Sequence, residues 1–239
     1  MNYNEFNEYI TEDLKIIGLR PDEDKKIKLY EFMNMVLEKN KVLNLTSITD
    51  VNDFIKKHII DSLCVVPYIN STKSIIDIGT GAGFPGVPIK IIYPEMNVTL
   101  LDSVNKKMTF LRESVKELGL NKIECICGRA EDAGHDIGLR GKYDFSIARA
   151  VAKLPVLLEY CVPFLKTSGI FIAMKTGMVS EELESCKNAL ISLNISLFKN
   201  VLFYLPQSDI SRSIILFQLT GDVPKKYPRK AGVPVKKPL

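Results

Sequence analysis

The sequence predicts an α/β fold: a mostly parallel sheet with an antiparallel edge hairpin, preceded by an N-terminal helical segment. Three observations carry this. From Ser74 to Met174, β-branched apolar runs alternate with helical patterns, as in strands joined by helical crossovers. Asp77-Ile78-Gly79-Thr80-Gly81-Ala82-Gly83 stands between the run Ser74-Ile75-Ile76 and a helical stretch opening at Pro85, which makes a strand, glycine loop and helix unit. Val201–Leu205 and Ser213–Leu219 flank the turn-rich Pro206-Gln207-Ser208-Asp209, which predicts the antiparallel pair.

Taken in order, residues 1–70 read as helices. Tyr9, Leu14 and Ile17, then Ile27, Tyr30, Phe32, Met33, Val36 and Leu37, recur at helical intervals. Pro21 followed by Asp22, Glu23 and Asp24 suits the first turn of a second helix, where acids face the positive end of the dipole. A third helix is expected from about Asp50, as its cap, through Ile60. Strands are expected near 74–78, 97–102, 122–127, 143–148 and 169–174. Helices are expected at 85–92 and at 104–118, the second ended by Gly119. The expected organisation is a helical segment packed on the core at 1–70, a sheet domain at 71–221 and a basic tail at 222–239.

With 239 residues, 46% hydrophobic and 25% charged, the chain can bury one large core with an appendage. Met1-Asn2-Tyr3-Asn4-Glu5 is polar and acidic, unlike a signal peptide, and no apolar run reaches the length of a membrane span. A cytoplasmic monomer without membrane association is expected. The five cysteines include no C-x-x-C pair. Cys125 and Cys127, two apart in a strand, should face the core together. Only His58 and His135 are available as imidazoles, and no cluster has metal-ligand spacing, so no metal is expected.

The net charge of +4 is unevenly placed. From Asp222 onward, Lys225, Lys226, Arg229, Lys230, Lys236 and Lys237 face one acid. The tail thus carries +5 and the remaining chain sums to −1. A basic, proline-punctuated tail suits a polyanion such as RNA; the competing reading is a solvated terminus.

Chemistry concentrates in the glycine loop. Its glycines let backbone N–H groups approach a ligand closely, and Asp102, ending the run Asn97-Val98-Thr99-Leu100-Leu101, is placed to accept both hydroxyls of an adenosine ribose. The spacing is G-x-G-x-G, with Phe84 where a dinucleotide fingerprint needs its third glycine. With Asp77 two residues before the first glycine, loop, preceding acid and ribose acid together indicate a class I, Rossmann-like sheet that uses S-adenosylmethionine as methyl donor.

Absences narrow the acceptor. The stretch after the fourth strand, Phe145-Ser146-Ile147-Ala148-Arg149-Ala150-Val151, lacks the Pro-Pro-aromatic loop of enzymes that methylate exocyclic amines. Cys161 lies in an apolar helix-like context, as a buried thiol would, and not in a Pro-Cys pair. A ring nitrogen such as guanine N7 has a free lone pair and needs no base, only orientation. Arg149 ends its strand at the carboxyl edge of the sheet, where it can hold a methionine carboxylate, an RNA phosphate or guanine O6, or serve as a surface charge. Lys175, at the end of the fifth strand, is either a phosphate contact or a solvated lysine. Glu131, in Gly128-Arg129-Ala130-Glu131-Asp132, reads as an adenine-edge residue or a helix cap. His58 and Asp61, three apart on a helix, can share a face and pair.

These residues resemble the glucose-inhibited division protein B family, the bacterial 16S rRNA guanine-N7 methyltransferases also called RsmG. The resemblance runs through Asn44-Leu45-Thr46, His58-Ile59-Ile60-Asp61-Ser62, Asp77 to Pro88, Asp102-Ser103, Gly128 to Glu131, Ala148 to Val151 and Tyr227-Pro228-Arg229-Lys230. It implies a guanine in the decoding-region hairpin loop of 16S rRNA, free or in the small subunit, as the substrate. It also implies cofactor contacts at Gly79, Phe84, Asp102, Ala130, Glu131 and Arg149, to which the glycine spacing adds Gly81. Val233, Val235 and Thr176 depart from the family pattern, all outside the cofactor loop. Two rival classes are a small-molecule methyltransferase, which would not need the basic tail, and a non-enzymatic RNA-binding module, which would not need the loop with Asp102.

Overall fold

Seven strands form one sheet: β1 (Ser74–Ile78), β2 (Asn97–Asp102), β3 (Ile123–Cys127), β4 (Tyr143–Arg149), β5 (Leu165–Thr176), β6 (Ile195–Tyr204) and β7 (Ser211–Leu219). The computed structural model describes all 239 residues. The strand order is β3-β2-β1-β4-β5-β7-β6. The first five strands are parallel, and β7 runs antiparallel between β5 and β6. Because β1 pairs with β2 on one side and β4 on the other, the chain order reverses at β1. A crevice opens outside the carboxyl ends of the strands at such a point.

Helices cover both faces. On one lie α1 (Tyr3–Ile16), α2 (Glu23–Leu43) and the short α3 (Val51–Phe54), which continues through a π-helical turn (Ile55–Ile60) into α4 (Asp61–Leu63). With α5 (Gly86–Ile92) and α6 (Asn105–Glu117) they bury Phe6, Phe32, Phe54, Leu111, Ile147 and Leu216 in one continuous core. The N-terminal segment therefore has no separate core. The opposite face is covered by α7 (Ala130–Ala133), α8 (Leu154–Cys161), α9 (Ser180–Glu184) and α10 (Lys187–Leu193), over a second core that includes Phe171, Phe217 and Tyr227.

Local chemistry sets the helix ends. Asn2 and Glu5 form a reciprocal capping box on α1. Asp22 caps α2 by accepting from the Lys25 N–H, so Pro21 precedes the helix and is not in its first turn. Asn44 closes α2 in the left-handed region, at φ 48°, and Asp50 caps α3. Gly119 follows α6 at φ +61°.

The expectation for the β3 cysteines needs correcting. Cys127 is exposed and Cys125 only half-buried, because β3 is the edge strand beyond β2. Cys161, by contrast, is a buried thiol, pushed well above the ordinary range by burial.

The tail is docked on the body, and it carries a short helix, α11 (Val233–Lys236). The Arg140 guanidinium donates to the carbonyls of Gly134, Tyr227, Val223 and Pro224, at 2.7–3.3 Å. Tyr227, Pro228 and Pro234 are buried. Arg229 grips Glu159, which is fully buried, through Nε at 2.9 and 3.1 Å, Nη2 at 2.6 Å and its backbone N–H at 2.7 Å.

Candidate functional site

A cleft of about 520 Å³ opens at the carboxyl ends of β1 to β4, and Gly79, Gly81, Phe84, Asp102, Ala130, Glu131 and Arg149 all line it. Sequence positions 79 to 149 converge there because parallel strands deliver each following loop to one edge.

The glycine loop is shaped by a buried acid. Asp77 Oδ2 accepts from Thr80 Oγ1 at 2.7 Å and from the Gly86 N–H at 2.9 Å. These bonds curl the loop back over the end of β1. At Gly79 (φ +70°) a Cβ would stand 2.6 Å from Val151 Cγ2, and at Gly86 one would stand 2.3 Å from Leu100 Cδ2. The cradle therefore closes only with glycine at these positions. Asp77 Oδ1 is buried with no partner in the protein, and burial pushes this carboxyl up to about 6.

Asp102 is oriented by two backbone donors, the Gly81 N–H on Oδ2 and the Val104 N–H on Oδ1, both at 2.9 Å. A carboxylate oxygen carries two lone-pair sites, so each keeps one for a ligand hydroxyl. A glycine cradle, an oriented carboxylate beside it and an orphaned acidic oxygen behind it fit an adenosyl group with a cationic amino acid end. Glu131 is buried to 5% exposure, and its Oε1 accepts from Tyr160 Oη and from the Gly232 N–H, both at 3.1 Å. It caps no helix; it ties the cleft wall to α8 and to the tail.

Arg149 stands at the centre of a cluster on the other wall. Its Nη1 donates to the Lys57 carbonyl at 2.9 Å and to Asp61 Oδ2 at 3.2 Å, and its Nη2 to His58 Nδ1 at 3.0 Å. Arg212 Nε holds the other Asp61 oxygen at 3.1 Å. The guanidinium lies 5.5 Å over the Phe84 ring, and His58 stacks on that ring at 4.8 Å and 14°. Burial, reinforced by the Arg149 charge, pushes His58 down to about 3. His58 and Asp61 do not bond to each other; Arg149 bridges them. The π-helical turn widens the backbone at this point, a frequent device at functional sites.

The sequence-predicted RNA contacts divide into two groups. Lys175 donates to the Ala152 carbonyl at 2.9 Å and pairs with Glu182 at 2.7 Å, and Arg229 is clamped to Glu159. Lys225, Lys226, Lys230, Lys236 and Lys237 are exposed and form no salt bridge. Sequence reasoning gave no role to Arg140, Glu159 or Arg212, since their main partners lie far along the chain; Thr46, a turn former by its chemistry, bonds to His58 at 2.7 Å. No group of three His, Cys, Asp or Glu could hold a metal ion, and no helix is long and apolar enough to cross a membrane.

The family model for rRNA small subunit methyltransferase G, GidB, matches residues 25–208. The Ribosomal RNA small subunit methyltransferase G of Acetivibrio thermocellus is 47% identical over 93% of this chain and 92% of the relative. That of Lactococcus lactis subsp. lactis is 45% identical over 90% and 92%. Among solved structures, a SAM dependent methyltransferase from Aquifex aeolicus matches with a TM-score of 0.53, covering 70% of this chain and 93% of its own, at 17% identity. The last is a likeness of fold alone.

Proposed function

The chain belongs to the rRNA small subunit methyltransferase G family, and on that premise we propose that it transfers a methyl group from S-adenosylmethionine to N7 of a guanine in the decoding-region hairpin loop of 16S rRNA. The observation that carries the reading is the cleft itself, in which the glycine cradle and Asp102 meet, with the buried Asp77 carboxyl holding the loop from behind. S-adenosylmethionine supplies an electrophilic methyl group when bound. Asp102 would hold its ribose, the loop at Gly79 and Gly81 its backbone-facing edge, and Ala130 with Glu131 its adenine. Phe84, His58 and Arg149 build the opposite wall, where the acceptor base would enter.

That wall suits a ring nitrogen as acceptor. His58, the one imidazole in the cleft, has Nδ1 occupied by Arg149 and is neutral, so it does not serve as the base that an amine or a carbon acceptor requires. A guanine N7 keeps its lone pair available, and the protein's work reduces to alignment and exclusion of water.

Asp102→Ala should weaken S-adenosylmethionine binding about tenfold or more, the loss expected for a charge-assisted ribose contact of roughly 1.5–3 kcal/mol. Titration calorimetry, with circular dichroism to confirm the fold, checks this; near-wild-type affinity would rule out the ribose placement. For the tail, we assign rRNA phosphate contact to the five exposed lysines. Replacing Lys225, Lys226, Lys230, Lys236 and Lys237 by glutamine should flatten the salt dependence of RNA binding by roughly 0.7 per lost contact on single strands. Cofactor affinity should hold, because Arg229 and Gly232 still dock the tail. Unchanged salt slopes would mean that the lysines are merely solvated.

A further inference from the structure

Hydrogen-bond directions around His58 fix what Thr46 can do. Arg149 Nη2 lies 3.0 Å from His58 Nδ1, and a guanidinium only donates. Nδ1 therefore accepts. The ring is neutral, so its single N–H sits on Nε2. That N–H meets Thr46 Oγ1 at 2.7 Å, and the Ile48 backbone N–H donates to the same oxygen at 3.1 Å. Both lone pairs of the hydroxyl are then occupied. What remains is its own O–H, which finds no acceptor within the protein, on a residue that lines the cleft beside Phe84 and Arg149. Arg149 thus acts through the imidazole to set Thr46 as a donor.

The position of Thr46 places this donor on the acceptor side. It follows α2 and bonds to the cluster at the end of β4, whereas Asp102 and Ala130 lie at the ends of β2 and β3, across β1. We propose that the Thr46 hydroxyl donates to O6 of the acceptor guanine, aligning the neighbouring N7 and selecting guanine; the inference rests on the guanine-N7 reading above. On that edge guanine presents two acceptors, N7 and O6, whereas adenine presents an amine donor at position 6. An O–H that can only donate accepts the first arrangement and opposes the second.

Thr46→Val keeps the shape and removes the hydroxyl; Thr46→Ser keeps the donor. With small-subunit rRNA as substrate, Thr46→Val should lower kcat/KM about tenfold or more, as expected when a base carbonyl loses its donor in a closed site. Thr46→Ser should restore most of it, and S-adenosylmethionine affinity by calorimetry should be equal in all three proteins. On rRNA carrying 2-aminopurine, which lacks O6, at the target position, wild type should fall to the valine variant's rate and the valine variant should lose little more. Equal rates for wild type and Thr46→Val on guanine would overturn the inference. Additive losses on 2-aminopurine, or a matching loss of cofactor affinity, would overturn it too, the last by showing that the hydroxyl serves the cofactor. A wild-type protein that forms no N7-methylguanine would instead remove the functional reading beneath it.

Discussion

Arg229→Ala should lower the stability of the protein by about 3–5 kcal/mol, the range for stripping one partner from a buried ion pair. Glu159 is fully buried, and its two oxygens take three side-chain contacts from Arg229. Without the guanidinium, the carboxylate keeps only the backbone N–H of residue 229. Urea denaturation gives the measurement. The double variant Arg229→Met with Glu159→Leu should recover most of the loss, since no charge is then left buried without a partner. A single variant within 0.5 kcal/mol of wild type, roughly what a substitution at a solvated surface position gives, would show that Arg229 is only a surface charge available to RNA. A chain ending at Gly221 should lose cofactor affinity as well as stability, because Glu131 gives up the Gly232 N–H that fixes it. A solvated tail would leave cofactor binding untouched.

The second large effect is expected from Arg149→Lys. The planar fork reaches a carbonyl, a carboxylate and an imidazole at once, whereas an ammonium is a point donor on a flexible stem. Lysine preserves the charge beside Asp61 but cannot hold all three partners. His58 would be free to exchange tautomers, and the wall of the cleft to shift. With each hydrogen bond to a charged group contributing about 1.5–3 kcal/mol, kcat/KM on the ribosomal substrate should fall roughly 10- to 100-fold. Turnover by the lysine variant close to wild type would leave a charge requirement and nothing geometric.

Strands β1 and β2 were legible to the residue because both are buried runs closed by turn signals. The β7 partner was not: β6 begins at Ile195, ahead of the alternating signal at Val201, because Ser196 to Asn200 form an exposed edge, Leu197 and Phe198 included, whose pairing comes from β7. The glycine loop and Asp102 declare their chemistry in local sequence. The cluster at Arg149 does not, since spacing set His58 and Asp61 on one helical face while the residue that joins them lies some 90 positions later. Ile55-Lys56-Lys57-His58-Ile59-Ile60 reads as ordinary helix, and its π-helical turn has no local signature. The tail misled for a similar reason. Lysine and proline speak for solvent, and the groups that pull it in (His135, Arg140 and Glu159) are 70 or more positions away.

The core shared by the N-terminal helices and the sheet bears on how the chain is made. Phe6 and Phe32 leave the ribosome first, yet the surfaces that cover them include Phe84, Leu111, Ile147 and Leu216. At roughly 5–20 residues per second of synthesis, α1 and α2 wait on the order of ten seconds or more with their apolar faces uncovered. During that interval they are exposed to association with other chains. Shielding by a chaperone until β7 is complete should therefore raise the yield of folded protein, and a slower ribosome should lower it.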